Sequence, residues 1–173
     1  TSGTLFTNSG TFTQATSTVN VTGAGTTTLL SAATTFHRLT INNASATVSA
    51  GAVITMSNAD TANRLYIQAG ILDDGGSSIV GTANGTMVMD SGTTLKIGSA
   101  GTASTFPTNY TNGIITLNSA STVTYQSGLT QTVSGVPTYG NLTIYSLSAL
   151  PIMTLGAATT VSNNLTITEG SLQ

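Results

Sequence analysis

The chain has 173 residues, a net charge of −2 and no cysteine, and only 5% of its residues are charged, against about a quarter in ordinary soluble domains. Three cations in total cannot form the clustered basic surface that nucleic-acid binding needs, and the lack of cysteine excludes disulfides and thiolate metal sites. No stretch of about 18 continuous apolar residues occurs, so no membrane-spanning helix is expected.

The polarity of the chain comes from Thr, Ser, Asn and Gly, while 39% of the residues are apolar. Hydroxylated side chains suit pleated surfaces and turns, whereas helices favour Ala, Leu, Glu, Lys and Arg. The composition therefore predicts an all-β protein, with one hydrophobic core in a single domain over residues 1–173.

Short runs that alternate apolar and polar residues recur along the chain, as strand geometry requires. The strongest are six triplets with large aliphatic residues at both outer positions: Leu39–Ile41, Leu65–Ile67, Leu95–Ile97, Ile115–Leu117, Leu142–Ile144 and Leu165–Ile167. They begin 20 to 30 residues apart, and clusters of Gly, Ser and Asn supply turns between them. Weaker strand-like runs fill the intervals, which predicts two or three short strands in each repeat.

Repeats of this length are typical of the coils of a parallel β-helix, or β-solenoid, in which each coil buries its inner row on the next. About seven coils fit the length of the chain. The middle residues of the six triplets are expected to form one outward row along the solenoid. A β-sandwich is the alternative, because the spacing of the triplets is irregular.

The sequence also repeats itself at long range, with residues 17–72 similar to residues 121–172. Ser17–Val21 corresponds to Ser121–Tyr125, and the triplets that begin at Leu39 and Leu65 correspond to those at Leu142 and Leu165. We interpret this similarity as an internal duplication.

Three segments resemble the Thr/Gly/Asn-rich repeats of large secreted surface proteins of bacteria, especially Bacteroidetes-type adhesins: Gly3–Thr13, Ser91–Gly98 and Asn141–Ile144. The resemblance extends over nearly the whole chain. It implies a β-solenoid that is exported and has a structural or adhesive role at the cell surface or in the extracellular matrix. It transfers no catalytic residues.

Few residues of the chain are able to carry chemistry. Polysaccharide hydrolysis requires converging carboxylates, and only Asp73 and Asp74 are adjacent among the five acids. Neighbours on a strand point to opposite faces and Gly75-Gly76 follows, so we interpret the pair as part of a turn, with Ca²⁺ coordination as the alternative. His37 is the single histidine, and its counterpart in the second copy is Gly140, so a structural role is expected. No catalytic residue, cofactor or enzymatic activity is predicted.

Asp60-Thr61-Ala62 matches the short O-glycosylation pattern of Bacteroidetes secreted proteins. The two triplets of the first copy, at Leu39 and Leu65, begin three residues further apart than those of the second, at Leu142 and Leu165, and the excess falls near this motif. Insertions in solenoids emerge as exposed loops, which makes Thr61 a candidate for glycosylation.

Two alternative functions are consistent with these features. The first is an extracellular structural module: both ends of the chain lie within the repeat pattern without a cap, so open coils are expected to stack head to tail, or the solenoid continues in a longer chain. The second is an adhesin or carbohydrate-binding module, with Tyr66 and Lys96 as possible surface contacts and glycans as partners. Ice binding is disfavoured, because Tyr66 and Lys96 interrupt the outward Thr row.

Overall fold

A computed structural model describes residues 3–7, 9–57, 64–111, 114–148, 152–169 and 171–173. Over these ranges the chain forms nineteen short strands and no helix. In chain order the strands are β1 Thr4–Phe6, β2 Thr18–Thr22, β3 Thr27–Leu30, β4 Thr34–Phe36, β5 Arg38–Ser49, β6 Ile54–Met56, β7 Arg64–Asp73, β8 Ile79–Val80, β9 Thr86–Met89, β10 Thr94–Ile97, β11 Ile114–Leu117, β12 Thr122–Tyr125, β13 Gln131–Val133, β14 Thr138–Tyr139, β15 Asn141–Tyr145, β16 Ile152–Leu155, β17 Thr160–Val161, β18 Leu165–Glu169 and β19 Ser171–Leu172.

All pairings between these strands are parallel, and they build a β-solenoid of about seven turns. The predicted fold class is confirmed. The β-sandwich alternative is wrong, because strands from successive turns superpose along one axis instead of forming two packed layers.

The solenoid has three faces. The first face contains β2, the first part of β5, the first part of β7, β9 and β11. The second contains β1, β3, the later parts of β5 and β7, and then β10, β12, β15 and β18. The third is formed by β4, β6 and β8 toward one end and by β13, β16 and β19 toward the other.

The core consists of inward side chains that lie on one another from turn to turn. On the first face Leu39 pairs with Leu65 and Leu65 with Met87, and all three are fully buried. On the second face Leu72 pairs with Leu95 and Leu95 with Val123. Complete burial of one such side chain contributes roughly 1.5–3 kcal/mol, so these stacks hold the turns together.

The single outward row expected from the six triplets is in fact two rows on different faces. Tyr66 pairs with Thr40 and Val88 on the first face, whereas Lys96 pairs with Thr124 on the second. The expectation failed because the long strand β7 contributes to both faces, with a shift of register at its bend. Period-2 alternation identifies an inward side chain but does not identify the face to which it belongs.

The two similar segments also occupy different faces. In the first, β2, β5 and β7 stack on the first face, with Val19 on Leu39 and Leu39 on Leu65. In the second, β12, β15 and β18 stack on the second face, with Leu142 on Leu165. Each segment keeps its internal stacking, but the later one is displaced by one face around the axis.

Candidate functional site

The acidic pair at the end of β7 lies at a corner of the coil, with its two side chains on opposite sides of the coil wall. Asp73 is half-buried on the outside, whereas Asp74 is 1% exposed and points inward, level with Ala50 in the turn below and Ile97 in the turn above. Gly75 makes the adjoining turn with a φ of +61° and donates its amide to Asp73 Oδ1 at 2.9 Å. Asp74 therefore places a carboxyl group between two buried apolar side chains of the stack.

Three donors surround the buried carboxyl group of Asp74. Its Oδ1 accepts the amides of Gly76 and Gly98 at 2.7 and 2.8 Å, and its Oδ2 accepts the Ser104 hydroxyl. Burial raises the pKa of Asp74 to about 6, although the three hydrogen bonds act in the opposite direction. The carboxyl group is thus poised to change its protonation state between mildly acidic and neutral pH.

Gln131 completes this interior cluster from β13. Its Nε2 donates to the carbonyl oxygens of Ile97 at 3.2 Å and Ser104 at 2.8 Å. Its Oε1 is buried and has no hydrogen-bond partner among the described residues. Gly98 makes room for the amide: its φ is +91°, and a Cβ at this position would lie 2.9 Å from Gln131 Nε2.

On the outside of the same corner, Gln126 holds Asp73. Its Nε2 donates to Asp73 Oδ1 and Oδ2 at 3.3 and 3.2 Å, and to the Gly98 carbonyl oxygen at 3.4 Å. Gly98 is therefore bound by Asp74 through its amide and by Gln126, which also binds Asp73, through its carbonyl oxygen. The structure does not bring these two candidate Ca²⁺ ligands together, and the described residues contain no group of three or more His, Asp or Glu placed to hold a metal.

The two predicted surface contacts lie apart, on different faces. Tyr66 donates its hydroxyl to Asp90 Oδ2, and the guanidinium carbon of Arg64 lies 3.8 Å from the centroid of the Tyr66 ring. The hydrogen bond to Asp90 raises the pKa of Tyr66. Lys96 lies between Asp73 and Thr124 in the outer row of the second face. One side and the hydroxyl of the Tyr66 ring are thus engaged within the chain, which reduces what is available for stacking on a sugar.

The remaining candidates are placed as follows. His37 is fully buried at the junction of β4 and β5, with Nδ1 3.3 Å from Ser57 Oγ, which is the environment of a structural residue. Thr61, the candidate for glycosylation, lies outside the described residues. An apolar concavity of about 700 Å³ lies beside loop 98–111 and is lined in part by Phe106, Tyr110 and Val136.

Ser104 and Gln131 were not identified from the sequence. Ser104 is 30 residues from Asp74 and Gln131 is 27 residues from Ser104, so no local motif joins them. The one available signal was Gln131 at the start of Gln131-Thr132-Val133, where the alternation places a polar residue at an inward position.

No protein-family model, curated protein or solved structure matches this chain. The described ranges contain no helix with the length and apolar character needed to span a membrane.

Proposed function

We propose that this chain is an extracellular structural protein of a bacterial cell, a rigid β-solenoid module whose end turns stack head to tail on further turns, either of other copies of itself or of a longer chain. The proposal rests on the exposure of inward side chains in the final turn. Leu165 and Ile167 of β18 occupy the inward positions that are buried in Leu142 and Ile144 one turn earlier, yet they are 49% and 48% exposed.

This exposed layer has the properties of a surface that another turn would cover. Leu155 of β16 pairs with the buried Val133 of the preceding turn and is 40% exposed, and β18 presents an unpaired edge of backbone N–H and C=O groups in the described structure. A following parallel strand would satisfy that edge and bury the aliphatic side chains at the same time.

Asparagine side chains at the adjoining corner also favour the stacking of a further turn on β18. Asn163 and Asn164 donate their side-chain amides to Asn141 Oδ1 of the preceding turn, at 2.9 and 3.2 Å. Asn141 in turn donates to the carbonyl oxygen of Ser121 at 3.0 Å. Each turn is thus anchored to the one before by amide hydrogen bonds, and the last pair offers acceptors to a turn stacked on it.

The opposite end presents a complementary apolar layer. Phe6 and Phe12 are half-buried and pack edge-on, with ring centroids 5.0 Å apart, and both rings lie 6.0 Å from that of Phe36 beneath them. The outer edge of β1 is unpaired within the described structure. Docking this end on β18 of a second copy preserves the parallel pairing found throughout the solenoid, and such a heterologous contact propagates into a filament.

A structural role also suits the chemistry of the surface. The chain has few charges and no cysteine, and its polar surface consists largely of Thr, Ser and Asn. Because each turn contacts only its neighbours through ladders and apolar stacks, stiffness accumulates along the axis. The extracellular location rests on the resemblance to Thr/Gly/Asn-rich bacterial surface proteins.

The proposal is tested by placing a charge in the exposed layer. Leu165→Lys leaves the turns beneath intact but puts an ammonium group where a second copy would dock; Thr116→Lys adds the same charge to the outer side of the first face. In analytical ultracentrifugation over a concentration series, wild type and Thr116→Lys are expected to associate and Leu165→Lys to remain monomeric. Monomeric wild type at all concentrations, or equal association of all three proteins, would refute head-to-tail assembly.

A further inference from the structure

The interior cluster around Asp74 is built unlike the rest of the core. The inward positions in line with it on the second face are held by Ala50, Ile97, Tyr125 and Ile144, all 0% exposed. An ionised carboxyl group in such a stack destabilises the fold unless it is hydrogen-bonded or paired with an opposite charge.

The hydrogen bonds of the cluster leave one buried acceptor without a partner among the described residues. Asp74 receives three donors, and both amide hydrogens of Gln131 are used on the carbonyl oxygens of Ile97 and Ser104. The remaining acceptor, Gln131 Oε1, is buried and without a partner among the described residues. Protonation of Asp74 adds one donor to a cluster that has one unused acceptor, and it removes the buried charge.

We propose that Asp74, Ser104 and Gln131 form a proton-binding site that locks the first part of loop 98–111 to the solenoid when the carboxyl group is protonated and loosens it when the group ionises. The first part of the loop is joined to the body at this site, because Gly98 donates to Asp74 and Ser104 contacts both Asp74 and Gln131. Thr108, further along the loop, is held separately by backbone hydrogen bonds with Ile79 and Gly81. The three donors favour the ionised carboxyl group, but burial disfavours it more strongly, so ionisation shifts the equilibrium toward an open form in which water hydrates the carboxylate.

Few other charges act on the site. On β7, Asp73 lies on the outer side of the wall and its charge favours protonation of Asp74. On β10, Lys96 occupies the outer row, and on β12 the inward phenol of Tyr125 stays neutral because burial raises its pKa. Ala50 in the turn below and Gln131 on β13 carry no charge. Within the described residues, proton uptake in this region therefore belongs to Asp74.

Two measurements on the full chain test the site. The first is a ¹³C NMR titration of the Asp74 carboxyl group, for which we expect a midpoint near 6. The second is amide hydrogen exchange of Gly98 and of residues 99–104 at pH 5 and pH 7.5, corrected for intrinsic rates. Protection is expected to fall at least about tenfold at the higher pH, because the carboxyl group is then ionised.

Matched variants distinguish a proton-linked lock from a merely structural polar cluster. Asp74→Asn retains the acceptor for the two glycine amides and does not ionise, so its protection is expected not to depend on pH. Asp73→Asn, one residue away on the outer side, keeps the Asp74 carboxyl group, so its protection is expected to remain dependent on pH. A midpoint near 4 for Asp74, or the same pH dependence in wild type and Asp74→Asn, would overturn the proposal. The wild-type titration decides the question even if Asp74→Asn does not fold.

Discussion

Asp73 and Asp74 are neighbours in sequence, but their carboxyl groups bind on opposite sides of the coil wall. Asp73 accepts the side-chain amide of Gln126 on the outside, whereas Asp74 accepts the Gly98 amide and the Ser104 hydroxyl on the inside. Asp73 is half-buried and remains in contact with solvent, whereas Asp74 is only 1% exposed. Two residues with the same chemistry therefore lie in different environments, and burial raises the pKa of the inner one, Asp74.

Folding stability is expected to fall as the pH rises from about 4 to about 7. The pKa of Asp74 is 3.8 in the unfolded chain and about 6 in the folded one, so between these values the folded state holds a proton that the unfolded state has lost. The stabilisation is complete below the lower value and is lost as the pH passes the upper one. At about 1.4 kcal/mol per pKa unit, the loss reaches up to about 3 kcal/mol. Urea unfolding at pH 4 and pH 7.5 measures it.

Substitution of the inner acid should remove this dependence. Asp74→Asn is expected to be more stable than wild type at pH 7.5 and to show a pH difference smaller by about 2–3 kcal/mol, because its amide carries no charge. Asp73→Asn supplies the control for the other acids of the chain. A pH profile of Asp74→Asn parallel to that of wild type would show that the linkage lies elsewhere.

Removal of the Ser104 hydroxyl should raise the pKa of Asp74 further. The hydrogen bond from Ser104 favours the ionised carboxyl group, so Ser104→Ala is expected to move the NMR midpoint of Asp74 upward. At pH 7.5 the variant should also lose roughly 1.5–3 kcal/mol of stability, the usual contribution of a hydrogen bond to a charged group. Thr105→Ala, at the exposed neighbouring position, is expected to change neither quantity; a downward shift in Ser104→Ala would contradict the geometry.

Gly70 is required at the bend of β7 for a reason that Gly92 does not share. Both have positive φ, +84° and +74°, but a Cβ at Gly70 would lie 1.8 Å from the carbonyl oxygen of Asn43, whereas at Gly92 it would meet nothing within 4 Å. Gly92→Ala should cost about 1–2 kcal/mol from the backbone conformation alone. Gly70→Ala should cost roughly 3 kcal/mol more, since backbone atoms must move. Equal urea midpoints for the two variants would contradict the close packing at this bend.

The phenols of Tyr125 and Tyr139 form a buried ring of hydrogen bonds with Ser134. Their hydroxyl oxygens are 2.9 Å apart, Tyr139 donates to the Ser134 carbonyl oxygen at 2.7 Å, and the Ser134 amide donates to Tyr125 at 3.0 Å. Tyr125→Phe leaves that amide without its acceptor and is expected to lower the free energy of unfolding by about 1–3 kcal/mol. Tyr145→Phe, on an exposed ring, serves as the control and is expected to change thermal unfolding little.

The sequence allowed the repeat and its local stacking to be predicted, because alternation reports which side chains point inward. Leu39 on Leu65 and Leu142 on Leu165 are found as expected. The division of the triplets between two faces was not predicted, since it depends on how far β7 extends around its bend, which the shift of register near Gly70 determines.

Only part of the polar cluster around Asp74 could be predicted from the sequence. That Asp73 and Asp74 point to opposite sides follows from strand geometry, but which of them points inward depends on the register of β7 with β10. Ser104 and Gln131 join Asp74 only through the stacking of turns, and Ser104 reaches the interior from a long loop without regular pattern. Contacts of this kind are set by three-dimensional register and leave no local signature.

The most direct test of the account is cryo-electron microscopy of the wild-type chain at high concentration. Stacking of turns end to end predicts filaments with a continuous axial repeat of about 4.8 Å, the spacing of neighbouring strands, to which each chain contributes about seven layers. Dispersed particles only, or filaments in which chains lie side by side and the strand spacing is interrupted at every junction, would contradict it.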